Sequence, residues 1–540
     1  MLGSSEKLKV FTGVMPFFYP WLVLPYTFTL LDTYFFILNL LVALWCLSIS
    51  GLPGLLIRGM VWASVIVAVV SILVTGGMLT TGAFHSILLT SSSEIYGYFS
   101  LVYWPSMTGG IVMLVICGVW FLKGEGNEYF ANHKGVLSAS LIMMLVLLPV
   151  FKAIKDSDFV QTIGKDPVNL LYAFSDIPAY NLYRVATVSF RERYLSKEPY
   201  GTELPSHVDT ASLVNLPEKI ILILGESSRQ DAYSLYGEKI NSSPKLLSRY
   251  KASAPGHFAR ISKVFAPAPN TRESIPRSLS FSTVTGNLAL GLPYKTIPAI
   301  LSEQGYRTVW VTTQTLYTRW DTFTAKIATS SDRIVHSSAD GTPWTDIKAA
   351  EAVLSELSQP GKQFVVLHLS GEHADYRIRN NELIPKENTD EIRRQASGKE
   401  NIDDKKLNYL ASVHLTDSII DSIMDFVETK AENGLVIYFS DHGEVIGKGH
   451  GLLPIQLEAE LSIPFVISGR YSGKMEKIID AYRDEEYNIF NTDFFPEVLI
   501  QTLGGEVIVP EEASTLTYFS IEGFPQTVKD ERERYYASKL

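Results

Sequence analysis

Several residues able to bind metals or move protons stand just past the ends of apolar, β-forming runs in this 540-residue chain. Glu226 follows the run that starts at Lys219, and Asp441 and His442 follow the run from Gly434 to Ser440. His373 lies a few residues beyond the run from Gln363 to Leu369. Carboxylate and imidazole groups are the oxygen and nitrogen ligands that suit a divalent ion such as zinc or manganese. The same groups serve in acid–base chemistry. Each has a plainer reading. Gly225-Glu226-Ser227-Ser228 taken alone reads as a helix start with a carboxylate in its first turn. Ser440-Asp441-His442-Gly443-Glu444 resists that reading, because it sets a carboxylate beside an imidazole at a strand end. A lone histidine is more often structural than catalytic. His373 and His450, however, both sit close to glycine in expected loops, which favours a site.

The elements that must position these residues are visible in the patterning. Residues 219–226, 307–313, 363–369 and 434–441 are short, almost continuously apolar runs separated by helical stretches. Such runs predict strands buried on both faces, hence an α/β sandwich around a mainly parallel sheet. In sheets of that kind the site lies beyond the carboxyl ends of the strands. Glu226, His373, Asp441 and His442 arrive there from three different strands.

The first part of the chain differs in kind. Residues 1–151 carry only Lys7, Lys9, Arg58, Lys123 and Lys134 as strong bases. Apolar stretches cover 10–31, 34–57, 59–84, 95–122 and 135–151. About 20 apolar residues cross a bilayer as a helix, so five spans are expected; the last is short. A cleavable signal peptide is excluded because further runs follow the first. With five spans every one of those bases falls on one side, which places the amino terminus in the cytoplasm and everything after Phe151 on the far face. Four or six spans would leave the large domain cytoplasmic. Residues 165–195, with Tyr180, Tyr183, Phe190, Arg184, Arg191 and Arg193, read as an amphipathic connector on the bilayer surface or, equally, as a helix packed on the soluble part.

Gly225-Glu226-Ser227-Ser228-Arg229, Gly371-Glu372-His373, Asn408-Tyr409 with Thr416-Asp417, and Ser440 to Glu444 with His450-Gly451 together resemble the phosphoethanolamine transferases of the sulfatase and alkaline-phosphatase superfamily. The resemblance, which includes the five-helix region, covers essentially the whole chain. It implies a threonine nucleophile bound to zinc, with manganese as a second possibility, and the ligand set Glu226, Thr271, Asp441 and His442. Thr271 lies in Ala266-Pro-Ala-Pro-Asn-Thr-Arg-Glu-Ser, an expected turn before a helix. Arg272 and Glu273 depart from the small-residue run common in that family, and Ser274 stands as the weaker alternative nucleophile. His373 and His450 resemble the family's phosphate-contacting histidines. Glu94, in Thr90-Ser-Ser-Ser-Glu94, resembles a glutamate that reaches the site from the membrane part. The implied donor is phosphatidylethanolamine, and the implied acceptor is lipid A or another envelope glycan. The implied place is the inner membrane, with the catalytic part in the periplasm.

The implied division is 1–151 membrane helices, 152–218 connector and 219–540 catalytic domain. A net charge of −10 excludes a nucleic-acid partner. Cys46 and Cys117 are the two cysteines, so the soluble part has no thiol chemistry. A sulfatase proper needs Cys or Ser followed by Pro and Arg at fixed positions, a spacing that Ser274-Ile-Pro-Arg277 lacks. A glycerol-phosphate transferase of the lipoteichoic-acid-synthase type shares the layout and is the nearest rival. A sensor with a dead hydrolase fold has no physical need to keep Glu226, Asp441 and His442.

Overall fold

The computed structural model describes residues 4–18, 30–75, 78–79, 84, 104–124, 127–155, 177–195, 200–213, 216–285, 292–314, 323–336, 344–374, 376–379, 382–397, 402–431, 433–451, 455–520 and 525–537. Glu94 and the expected far-side loop around it lie outside the described residues.

The amino-terminal part is helical: α1 (Ser4–Val14), α2 (Leu30–Leu47), α3 (Gly51–Thr75), α4 (Trp104–Lys123), α5 (Lys134–Lys155) and α6 (Pro178–Leu195). Among the described residues one stretch, Gly51–Leu73, is long and apolar enough to cross a membrane. Shorter apolar helices at Tyr34–Leu47, Thr108–Lys123 and Lys134–Leu147 coincide with three more of the expected runs. Polarity in this part is inverted relative to a water-soluble bundle. Leu55, Leu56, Met60, Ile111, Val115 and Ile142 face outward, while Asn39, Arg58 and Ser64 are buried. Arg58 donates to the carbonyls of Ile49 (2.7 Å) and Leu122 (3.3 Å), so one guanidinium caps the chain ends beyond α2 and within α4. Helix α6 packs against α3. Ser64 Oγ donates to the Pro178 carbonyl at 2.6 Å, and Tyr183 Oη donates to the Met60 carbonyl at 2.7 Å.

The carboxyl-terminal part is built on β1 (Lys219–Gly225), β2 (Phe258–Ile261), α7 (Thr271–Leu279), β3 (Arg307–Thr312), β4 (Arg333–Val335), β5 (Gln363–His368), α8 (Asp404–Lys430), β6 (Gly434–Ser440), β7 (Phe465–Gly469) and α9 (Phe495–Thr502). The seven-stranded sheet has the order β2-β7-β6-β1-β5-β3-β4. Its strands from β6 to β4 pair in parallel, whereas β7 runs antiparallel to both β6 and β2. The sheet is therefore mixed, with the parallel block in the centre. Alternate residues of β1 enter two different cores. Ile220, Leu222 and Leu224 join one with α7 and α9, and Ile221 and Ile223 join the other with α8. That two-sided burial is why the strand reads as one unbroken apolar run.

One buried acid ties the segment after α7 in place. Asp493 accepts a hydrogen bond from the Val284 amide at 3.0 Å through Oδ2, while its buried Oδ1 has no hydrogen-bond partner. Burial pushes this carboxyl up to about 7. The folded chain thus holds a proton that the unfolded chain, with an ordinary aspartate, gives up near pH 4. Stability from this group is complete below that pH and is lost as pH rises to about 7. A shift of that size is worth about 4 kcal/mol. Replacing Asp493 by Asn should raise the melting temperature at pH 8 and flatten its decline between about pH 4 and 7. An unchanged decline in the variant would assign the effect to other groups.

Candidate active site and metal centre

Register places the key residues side by side. Gly225 of β1 pairs with Ser440 of β6, so Glu226 and Asp441 leave adjacent parallel strands at the same edge. Ser227 takes a left-handed conformation (φ 58°), which turns the chain sharply after Glu226. A Cβ on Gly371 would come 2.6 Å from the Glu226 backbone. Only glycine lets the loop carrying His373 approach so closely.

Thr271 arrives from the opposite direction as the first residue of α7. Asn270 caps that helix by accepting from the Glu273 amide at 3.1 Å. Ser274, one turn on, is fully buried and donates its hydroxyl to the Asp441 carbonyl, which fixes the helix start to the strand end. The Thr271 hydroxyl then lies 2.8 Å from Glu226 Oε2 and 3.3 Å from His442 Nε2. His442 Nδ1 donates to the Gly443 carbonyl at 2.7 Å, leaving Nε2 to face 3.1 Å from Glu226 Oε1 and 3.4 Å from Asp441 Oδ2.

This arrangement fits a divalent cation. Ligand atoms of Glu226, Asp441 and His442 all lie within 4.8 Å of one another, and Asp441 Oδ2 is buried without a hydrogen-bond partner. Two buried carboxylates this close demand a positive charge. Without an ion a proton takes that place: burial disfavours a charged His442, yet Asp441 and then Glu226 outweigh it and hold the ring up to about 10. Burial likewise pushes Asp441 up to about 7. For Glu226 the effect of burial, which would raise it, is outweighed by His442, and the carboxyl stays well below its usual range. The second-sphere bond from His442 Nδ1 to a carbonyl is the one that aims a ligating imidazole.

Around this cluster stand the other histidines. The His450 ring is 4.3 Å from that of His442 and 5.5 Å from that of His373, centroid to centroid. Glu444 Oε2 lies 3.6 Å from His450 Nδ1, and its other oxygen accepts from the Tyr376 hydroxyl. Tyr409 and Asp417, both in the motifs that carry the resemblance, do structural work. Tyr409 donates to the Ser227 carbonyl at 2.7 Å, and Asp417 accepts from the amides of Lys245 and Leu246 at the start of helix Pro244–Ala252. Thus Glu226, Thr271, Asp441 and His442 meet, with His373 and His450 adjoining. Sequence reasoning passed over Gln314, whose amide donates to Glu226 Oε2 at 2.8 Å. It sits just past the end of β3, where the strand-end rule could have found it.

The sulfatase family model matches residues 218–504, more than half of the chain, and the chain belongs to that family. Among curated relatives, phosphoethanolamine transferase EptC of Escherichia coli is 26% identical over 239 residues, covering 43% of this chain and 40% of EptC. The match therefore spans less than half of that relative. Phosphoethanolamine transferase CptA of Salmonella typhimurium is 22% identical over 422 residues, covering 75% of this chain and 72% of CptA. The integral membrane lipooligosaccharide phosphoethanolamine transferase EptA of Neisseria meningitidis superposes with a TM-score of 0.61 at 14% identity, over 93% of this chain and 97% of that one. That likeness is one of fold.

Proposed function

We propose that this chain is a membrane-anchored, metal-dependent transferase that moves phosphoethanolamine from phosphatidylethanolamine to lipid A or another envelope glycan, with Thr271 as the nucleophile. The observation that carries the reading is the Thr271 hydroxyl at the first turn of a helix, 2.8 Å from Glu226 and 3.3 Å from His442. The names of the relatives point to the same group transfer.

Glu226, Thr271, Asp441 and His442 would hold the cation, zinc or manganese. Once bound, it would lower the pKa of the threonine hydroxyl and neutralise charge on the phosphate. Thr271 Oγ attacks the donor phosphorus, its proton passing toward Glu226 Oε2. A phosphorus–oxygen bond forms to Thr271, and the bond to diacylglycerol breaks, that alcohol leaving with the proton that Thr271 gave up. Backbone amides at the start of α7 and the imidazoles of His373 and His450 stabilise the phosphoryl oxygens. An acceptor hydroxyl then attacks the same phosphorus, the bond to Thr271 breaks, and the acceptor's proton passes to the Thr271 oxygen as it leaves. Phosphatidylethanolamine labelled in its headgroup, incubated with full-length protein and candidate glycans, should give labelled glycan and free diacylglycerol. Transfer from phosphatidylglycerol in its place would replace the donor assignment by glycerol phosphate.

The outward apolar faces of α3, α4 and α5 support a bundle embedded in lipid, and the one-sided placement of Lys7, Lys9, Arg58, Lys123 and Lys134 supports five spans with a cytoplasmic amino terminus and a periplasmic catalytic domain. A reporter that works only outside the cytoplasm should be active when fused after Leu540 and silent near Gly126. The opposite pattern would overturn both the span count and the periplasmic assignment.

A further inference from the structure

We infer that Gln314 is a positioning residue for the nucleophile: its amide holds Glu226 so that one carboxylate oxygen stays directed at the Thr271 hydroxyl. The inference rests on the reading that Thr271 attacks phosphorus. Gln314 Nε2 lies 2.8 Å from Glu226 Oε2 and 2.9 Å from the Leu369 carbonyl. A carbonyl only accepts, so the Gln314 atom facing Leu369 is the nitrogen, and its second hydrogen is committed to Glu226. That settles which way the amide points and requires Oε2 to act as an acceptor. The same oxygen accepts the Thr271 hydroxyl at 2.8 Å, while Oε1 accepts from Ser227 Oγ at 2.8 Å. Glu226 is therefore clamped at both oxygens and cannot rotate its carboxylate without losing bonds on each side. Gln314 is fixed in turn from behind, its backbone N–H donating to Thr312 Oγ1 at 3.0 Å at the end of β3. A side chain that merely filled space here would have no reason to match two acceptors.

The test uses full-length protein in nanodiscs with Gln314→Met, which keeps the length and removes the donors, and Thr312→Val, which loosens Gln314 without touching Glu226. Zinc affinity is read by competition with a chromogenic chelator, and kcat and KM by transfer from labelled phosphatidylethanolamine. Gln314→Met should weaken zinc roughly 10–100-fold and lower kcat at least about 10-fold, with donor KM within about 2-fold. Thr312→Val should move both in the same direction by less. Unchanged zinc affinity and kcat in a folded Gln314→Met protein overturn the inference, and if that variant melts early, the same result in Thr312→Val does so. Wild-type protein that binds zinc but transfers no phosphoethanolamine would sink the proposed donor alone, and the zinc titration would still decide the role of Gln314. Wild-type protein that binds no divalent ion would overturn both.

Discussion

Thr271→Ala should abolish transfer, lowering kcat by a factor on the order of 10³ or more, because the attacking oxygen is removed. Thr271→Ser should keep part of the activity, since the attacking oxygen survives. The fold should be almost untouched. Helix capping at this point belongs to Asn270, whose side chain accepts from the Glu273 amide, so Thr271 contributes little to the stability of α7. Ser274 behaves in the opposite way. Its buried hydroxyl is engaged with the Asp441 carbonyl, and Ser274→Ala should lower the melting temperature by an amount corresponding to about 1–3 kcal/mol. With donor lipid and no acceptor, mass spectrometry should find phosphoethanolamine on the peptide carrying Thr271. An adduct mapped to Ser274, or a fully active Thr271→Ala protein, would refute the mechanism.

The second large effect concerns Asp441. Asp441→Asn should bind less than a tenth of the wild-type divalent ion and lose most activity, because an amide is a poor replacement for an anionic ligand. Its stability should change sign with metal. In metal-free protein the variant should melt higher than wild type, since it removes one of two buried carboxylates facing each other across His442. With zinc the wild type should gain stability through binding, and the variant should gain little. His442→Ala should lose the ion as well, but without the apo gain, because it leaves both carboxylates behind. Full metal content in both variants would show that the Ser440–Glu444 segment serves structure alone.

Much of this was legible in the sequence, for identifiable reasons. The strands at residues 219–225, 307–312, 363–368 and 434–440 are buried on both faces, so their composition announced them. The two edge-side strands, Phe258–Ile261 and Phe465–Gly469, are short and carry Arg260 and Ser468. Their apolar runs, such as Phe465-Val466-Ile467, are too short to stand out beside the longer ones, and with them went the antiparallel strand that makes the sheet mixed. The three-strand convergence of Glu226, His373, Asp441 and His442 followed from the rule that sites form beyond strand ends. Thr271 did not, since proline-rich coil gives no periodic signal; only the family resemblance pointed to it. Gln314 escaped because an amide carries no charge and belongs to no recognised motif. Its role depends on two acceptors brought from β1 and β5, which only tertiary structure assembles.

The bond from Ser274 to the Asp441 carbonyl has one more implication on the reading proposed above. It rivets the catalytic turn to the ligand-bearing strand, so the attacking oxygen has no travel of its own. A lipid anchored in the bilayer and a glycan arriving from another direction must be brought, one after the other, to the same stationary anvil. Reach is then a property of the substrates and of the loops that guide them. On that reading, choice among acceptors would turn on which of them can touch that fixed point, before any difference in chemical reactivity.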